Sequence, residues 1–389
     1  MQADRVNARS ALLSASPSPF VRMGRGLGGG ATAVAVVVLA LIGLYLATYQ
    51  LNYEVFWQDE ATSVYAAQQV LHTGIPRLLS GFIYTKSELY SYMLAVVELF
   101  FGTNPIALRL LSVAEYLASL LLTFHMGRRF FDKRVGLLAM ALLVFSPMAL
   151  RWGREARMYQ QAELCLLIVV FLFYQALQAQ ERARPIYLSM AAVVVMYFSH
   201  EETFIVLPAL LIYFLATQRL RWVRNPHWWI AGMAAIAIIL FQLLLAQTTH
   251  PPILGTDRSQ IPMIAFAPQN FDFYMRLLFA SRAMGHGTYP SLGVTSALIV
   301  ASALVALFAT HRPLRYLCTI FFVSLGCLIF VFTLTADRYI YPLLPIMAML
   351  AAAMVVWGCD RLARWLHRQL APVAARIIMA ALALLFVGT

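Results

Sequence analysis

Long apolar runs separated by short polar loops set the pattern of this chain. Several exceed about 18 residues, the length at which an apolar run reads as a membrane-spanning helix. The runs fall at about 31–51, 106–127, 135–150, 158–178, 185–199, 203–218, 228–246, 290–310, 315–334, 339–357 and 371–389. Between them lie basic clusters: Arg128 to Arg134, Arg182 and Arg184, Arg219 to Arg224, Arg312 and Arg315, and Arg361, Arg364 and Arg368. With the N-terminus inside, every cluster falls on the inner side, as the positive-inside rule requires. The same threading puts Asp59-Glu60, Arg154 to Arg157, His200 to Glu202, the 247–290 loop and Ala336 to Arg338 outside.

The apolar stretch Leu89 to Phe101 contains Glu98 and falls short of the ~20 residues a crossing needs. A crossing there would also flip every later basic loop outward. It therefore lies flat at the outer interface as a juxtamembrane helix. Ala61 to Leu71 is a second such helix, with Asp59 as its N-cap and Gly74-Ile75-Pro76 as its stop. The expectation is an all-α, polytopic integral membrane protein with about eleven transmembrane helices and juxtamembrane helices in its first outer loop. Residues 1–30 form a basic mobile tail, and 31–358 a transmembrane catalytic module with outer loops at 52–105 and 247–290. Residues 359–389 hold a cytoplasmic basic loop and the last span.

Composition agrees. Of 389 residues, 61% are hydrophobic and 12% charged, against about 25% charged in a soluble domain. The net charge of +12 sits in the inner loops, so its partners are anionic lipid headgroups rather than nucleic acid. Cys165, Cys318, Cys327 and Cys359 lie in or at the ends of spans, and their spacing fits neither a disulfide framework nor a zinc site. No internal repeat or soluble domain stands out.

The unusual charges cluster at outer span ends, whereas a transporter or pump holds its ion and substrate sites near mid-membrane depth. Carboxylates at a membrane edge are costly, so the adjacent pair Asp59 and Glu60 suggests use: one accepts a proton from a hydroxyl, or ligates a divalent cation. Tyr84 and Lys86 stand at headgroup level, where lysine either anchors the chain or holds a lipid phosphate. Arg109, at the start of a span, calls for an anionic partner, either a protein carboxylate or a phosphate. Arg151, Arg154 and Arg157 break the charge bias on the outside; they fit phosphate binding, or a network with Glu155. His200, Glu201 and Glu202 form a second acidic cluster whose spacing matches no metal motif; they orient an acceptor, or make a solvated turn. Arg338 opens a kinked span entry beside Asp337, with Pro342 and Pro345 behind it.

In these segments the chain resembles the GT-C membrane glycosyltransferases, nearest to the protein O-mannosyltransferase and lipid A aminoarabinose transferase group (family 39), over about residues 31–358. The acidic pair Asp59-Glu60 matches that group's hallmark. Lys86-Ser87-Glu88-Leu89-Tyr90 matches a Lys-Pro-Pro-Leu-Tyr-like stretch with both prolines replaced. Phe101-Gly102, Arg109-Leu110-Leu111-Ser112, Ser146-Pro147 before Met148, Arg154 to Tyr159, Ser199-His200 and Arg338-Tyr339 follow in the family's order. Two features depart. Some members carry a second essential Asp where this chain has Tyr159 and Gln160, and the periplasmic C-terminal domain of many relatives does not follow.

The resemblance implies an inverting transfer of a sugar from a polyprenyl-phosphate donor to an acceptor hydroxyl on a glycan, lipid or protein. It places the enzyme in the cell (inner) membrane, with its active site toward the periplasm or exterior. Asp59 and Glu60 are the expected catalytic residues. Tyr84, Lys86, Arg109, Arg154, Arg157 and Arg338 are expected at the donor phosphate, and His200, Glu201 and Glu202 at the acceptor or second acidic site. No metal site is assigned and no cofactor is demanded, a divalent cation remaining compatible with the carboxylates. The competing classes are a transporter or flippase of a lipid-linked headgroup that forms no bond, and a non-catalytic scaffold.

Overall fold

A computed structural model describes residues 29–369, apart from 82, 180–181, 250–264, 280–281, 285–286, 290–292, 309 and 334. Most of the basic tail and the expected span at 371–389 therefore lie outside the described residues, as does much of the 247–290 loop.

The chain begins with α1 (Gly29–Thr48), followed by two helices on the connection to the next span, α2 (Gln58–Thr73) and α3 (Glu88–Phe101). Then come α4 (Pro105–Phe130), α5 (Lys133–Val144), the short α6 (Pro147–Trp152), α7 (Tyr159–Gln178) and α8 (Ala183–Ser199). A 3-10 turn, Glu201–Val206, leads into α9 (Leu207–Gln218), and α10 (Pro226–Thr249) follows. The remainder is α11 (Asn270–Phe279), α12 (Gly293–Phe308), α13 (Arg312–Phe330), the one-turn α14 (Asp337–Ile340) and α15 (Leu344–Gln369). Arg282–Met284 and Gly287–Tyr289 pair as a short antiparallel ribbon, which apolar periodicity did not announce.

Seven of the described helical stretches are long and apolar enough to cross a membrane: α1, α4, α7, Glu201–Gln218, α10, α13 and the Asp337–Leu366 stretch. Shorter apolar helices, α8 and Thr295–Phe308 in α12, accompany them. The first ten expected spans each overlap helix, but the one at 135–150 is divided at Phe145-Ser146 between α5 and α6 and is not among the seven. The chain is a multi-pass membrane protein of the all-α class, the short ribbon aside.

The helices sort by composition. α1 and α10 are apolar all round, and few of their residues are buried, as for helices that face lipid. α15 lies in the middle, with an unbroken buried run from Ile346 to Met354, and packs on α5 and α12. The antiparallel pair α4–α5 closes at glycines: a Cβ on Gly127 would stand 2.7 Å from the Cα of Gly136, so only glycine allows this approach. At that end of the bundle Arg134 makes a forked pair to Asp360, at 2.7 and 2.8 Å, tying α5 to α15.

α2 and α3 pack against each other beside the opposite end. α3 has 14 residues and buries Tyr90, Leu94 and Glu98 while exposing Leu99, Phe100 and Phe101, a pattern suited to lying along an interface. α2 ends at Gly74, in the left-handed region at φ 78°, as Gly-Ile-Pro implied. Its start differs from expectation. Trp57, not Asp59, is the N-cap, which puts Asp59 and Glu60 inside the first turn. Successive helical residues diverge by about 100°, so the two carboxylates face different directions.

Candidate functional site

A cavity of about 560 Å³ opens at the end of the bundle where α2, α7 and α14 begin. Asp59 and Thr62 enter from α2, Tyr84 and Lys86 from the turn before α3, and Arg157 and Tyr159 from the start of α7. His200, Glu201 and Glu202 line it from the α8–α9 junction, and Arg338 and Tyr339 from α14.

Asp59 is 31% exposed, and its Oδ2 lies 3.6 Å from Arg157 Nη2 and 3.5 Å from Arg338 Nη1. Those separations exceed a close charge-assisted hydrogen bond, so the carboxylate is flanked by cations without being locked to either. Arg157 is held otherwise: its Nη1 donates to the Asp59 carbonyl at 2.7 Å and to Ser63 Oγ at 2.8 Å. Both guanidiniums lie over the Tyr159 ring, at 5.4 and 5.7 Å from its centroid. One aromatic ring thus stands beside both cations. Arg157 loses affinity for its proton through burial, but the facing Tyr84, Tyr159 and Asp59 outweigh that, and its pKa lies above the ordinary arginine range.

His200 is buried, and its Nδ1 accepts the Glu202 backbone N–H at 3.0 Å. Its proton therefore sits on Nε2. Burial, then the charges of Arg157, Lys86 and Arg338, hold its pKa well below the ordinary value, so the ring is neutral at pH 7. Lys86 stands on the turn Thr85–Ser87, exposed, with no ion pair among the described residues. Among the described residues no group of three or more His, Cys, Asp or Glu side chains is placed to hold a metal ion.

The pocket gathers eight of the expected site residues: Asp59, Tyr84, Lys86, Arg157, His200, Glu201, Glu202 and Arg338. It leaves out three. Glu60, 1% exposed, points inward from α2. Its Oε1 accepts from Arg109 Nε at 2.9 Å and from the Ala156 N–H at 2.8 Å, and its Oε2 from Arg109 Nη2 at 2.7 Å. Arg109, expected at the donor phosphate, instead forks onto Glu60 and donates to the Leu51 and Glu54 carbonyls at 2.7 and 2.9 Å. Of the two partners the sequence left open for Arg109, the protein carboxylate is the one present. Arg154 donates to the Tyr49 carbonyl and faces a second cavity. Thr62, Tyr159 and Tyr339 line the pocket without having been singled out. Thr62 is accessible by the helical i+3 spacing from Asp59; Tyr159 closes the family-like segment Arg154 to Tyr159 and stands where some members carry an Asp, and neither feature by itself places it in the site.

Beneath the pocket, α7 and the segment after α14 are cross-linked. Gln160 Nε2 donates to Ser119 Oγ at 3.0 Å and to Glu163 Oε2 at 2.6 Å, and the Tyr341 hydroxyl bonds both Gln160 and Glu163. Gln161 donates to Glu115 at 3.1 Å. These groups line neither cavity. They fix the helix starts that carry Tyr159 and Arg338.

Glu155, beside this site, gives a pH signature. Burial lifts its carboxyl to about 7, against the pull of Arg151, with the charge of Glu60 adding to the rise. A folded-state pKa above the ordinary 4.5 means the folded form binds the extra proton. The stability that Glu155 contributes should therefore be lost as pH rises from about 4.5 through about 7, by about 3 kcal/mol, and Glu202, lifted to about 8 by burial, extends the decline above. Melting the detergent-solubilised protein between pH 5 and 8 should show this slope, and Glu155→Gln should lessen it below about pH 7. An unchanged slope in the variant would locate the titration elsewhere.

Residues 86–245, which include Lys86, Arg157 and His200, match the family model described as dolichyl-phosphate-mannose-protein mannosyltransferase. No curated protein matches the chain in sequence. Among solved structures, ArnT from Cupriavidus metallidurans in the apo state is similar at TM-score 0.63 and 15% identity, over 85% of this chain and 62% of that one. The same protein bound to undecaprenyl phosphate gives 0.61 and 16%, over 92% and 65%. The archaeal oligosaccharyltransferase AglB from Archaeoglobus fulgidus, in complex with an inhibitory peptide and a dolichol-phosphate, gives 0.59 and 12%, over 92% and 54%. The chain thus spans under two thirds of the length of these structures. The fold is that of the GT-C membrane glycosyltransferases, the group whose motifs the sequence resembles.

Proposed function

We propose that this chain, built on the GT-C fold, transfers a sugar from a polyprenyl-phosphate donor to an acceptor hydroxyl with inversion at the anomeric carbon. The observation that carries the proposal is one cavity holding a loosely engaged carboxylate, Asp59, against three cations, Lys86, Arg157 and Arg338. A phosphate leaving group needs cations where its charge develops, and an incoming hydroxyl needs a base across the reacting carbon. The ArnT and AglB structures, with their lipid phosphates, support the donor class.

In this reading the donor phosphate sits among Lys86, Arg157, Arg338 and the Tyr84 hydroxyl. The guanidiniums then turn their charge to the phosphate, leaving the Asp59 oxygens for the acceptor hydroxyl. Asp59 takes the hydroxyl proton as oxygen attacks the anomeric carbon and the sugar–phosphate bond breaks. Lys86, Arg157 and Arg338 balance the charge that the bond electrons leave on the lipid phosphate. His200, neutral with its proton on Nε2, and Glu201 and Glu202 orient the acceptor. Glu60 and Arg109 serve as the rigid mount of Asp59 rather than as participants. Residues 31–358 form the catalytic module, in the inner membrane with the cavity toward the periplasm or exterior. Anionic lipids contact the basic loops at the other end.

The transport alternative draws on one observation, the buried polar groups Glu115, Gln160, Gln161 and Glu163 within the spans. Glu115 is bonded to Gln161 and Gln160 to Glu163, and none of the four lines either cavity described above, so bond transfer is preferred. Purified protein given labelled polyprenyl-phosphate sugars should release free lipid phosphate and leave the label on an acceptor. Movement of the intact lipid-linked sugar across vesicles, with no lipid phosphate released, would replace this function with transport.

A further inference from the structure

Behind the first turn of α2, on the side away from Asp59, lies a second cavity of about 420 Å³. Its walls are the α1–α2 connection, the start of α4, and α6 with the residues after it. Glu60 and Arg109 form its inner wall, with their charges satisfied by each other. Arg151 is likewise opposed by Glu155, at 3.4 Å. Arg154 is not. It holds the Tyr49 carbonyl through Nη2, but it makes no ion pair with any described carboxylate, although Glu54 also lines the cavity. The indole N–H of Trp57, another wall residue, is buried without a partner. A partly buried guanidinium with no carboxylate in an ion pair, and a buried N–H with no acceptor, carry a desolvation cost that an oxyanion would offset. Burial, then the nearby Arg109 charge, lower the Arg154 pKa, and the charge of Glu54 opposes them only in part.

The location identifies the kind of anion. The cavity sits at the end of α1, a span that shows most of its surface outward. Val34, Val37, Val38, Leu41 and Tyr45 are all exposed and follow helical i, i+3, i+4, i+7 spacing along one face. Beyond the helix end, Tyr49 and the cavity-wall residue Tyr53 are 52% and 80% exposed. Tyr49 supplies the carbonyl that Arg154 holds. An apolar track ending in tyrosines and then in an arginine pocket has the order of a lipid: chains, interface, phosphate. A soluble anion would have no use for the track.

We propose that this second cavity holds the phosphate of an anionic membrane lipid, with Arg154 as its cation and the α1 face as the bed for its acyl chains. The site is separate from the Asp59 cavity and does not depend on what that cavity catalyses. Because its inner wall is the Glu60–Arg109 pair that mounts Asp59, an occupied site would also brace α2.

The test uses the full chain, delipidated in a neutral detergent. Thermal unfolding is followed with added phosphatidylglycerol, phosphatidylcholine, or inorganic phosphate. Phosphatidylglycerol should raise the melting temperature saturably, with phosphatidylcholine and inorganic phosphate doing so weakly or not at all. Arg154→Gln should weaken the apparent affinity for phosphatidylglycerol at least tenfold, and Arg154→Lys should weaken it less. Lys86→Gln, in the first cavity, should leave it in place. If Arg154→Gln does not purify as a monodisperse species, Arg154→Lys and the lipid comparison still decide. Equal stabilisation by the two phospholipids, unchanged affinity in both Arg154 variants, or loss in Lys86→Gln instead, would overturn the site. A full shift with inorganic phosphate alone would overturn the lipid as its occupant.

Discussion

Asp59→Asn should lower sugar transfer by about 10²–10⁴-fold, the range that general base catalysis contributes, while leaving the protein folded. The Asp59 carboxylate is partly exposed to the cavity, and its contacts with Arg157 and Arg338 are 3.6 and 3.5 Å long. Little packing or hydrogen bonding is therefore lost when the carboxylate becomes an amide of the same shape. The amide oxygen can still face the two guanidiniums, but it cannot take a proton. The three cations remain, so the donor should still bind, and the loss should fall on turnover rather than on donor KM. A variant that turns over within a few-fold of wild type would remove Asp59 from the chemistry. A variant that fails to bind donor would make Asp59 part of the binding site instead.

Glu60→Ala, one residue along, should behave in the opposite way and destabilise the protein by about 3–5 kcal/mol, the cost of breaking a buried ion pair on one side. Glu60 accepts from Arg109 through both oxygens and also from the Ala156 N–H. Removing it leaves the Arg109 guanidinium buried without its counter-charge and strips the N–H of its acceptor. The Leu51 and Glu54 carbonyls that Arg109 holds would loosen with it. The expected result is a melting temperature several degrees lower or poor recovery from the membrane, with activity falling because less protein is folded. A stable Glu60→Ala protein with turnover reduced as in Asp59→Asn would show that Glu60 takes part in the reaction. The pair of variants separates chemistry from scaffolding at adjacent positions, which no single substitution can do.

The architecture was legible because a bilayer makes strict demands. Apolar runs had to be helices with their backbone groups satisfied internally, and ten of the expected spans overlap helix in the structure. The length of the 88–101 stretch separated an interfacial helix from a span, and Gly74 ended α2 as its conformational freedom implied. The short ribbon lay in a loop with no apolar period to announce it, whereas α11 carries a helical period, burying Tyr274, Leu277 and Leu278, that the loop assignment passed over.

The roles inside the acidic and basic clusters were less legible. Asp59 and Glu60 are neighbours in sequence and chemically alike, and read together they suggested a shared task. One helical step divides them: Asp59 faces the cavity, and Glu60 faces Arg109, 49 positions away. The same holds for Arg154 and Arg157, three apart, of which one lines each cavity.

By itself, then, the sequence determined what solvent and chain chemistry impose locally: spans, interfacial helices, the basic end of the bundle, and the residue types held at the opposite end. Only the tertiary structure decided which charges meet. Coulombic pairing and desolvation depend on distance and burial, and those are set by how helices far apart in the chain are packed. Thus Arg109 pairs with a buried carboxylate, Arg157 and Arg338 both stand against the Tyr159 ring, and Arg154 is left near the end of α1 without an ion pair among the described residues.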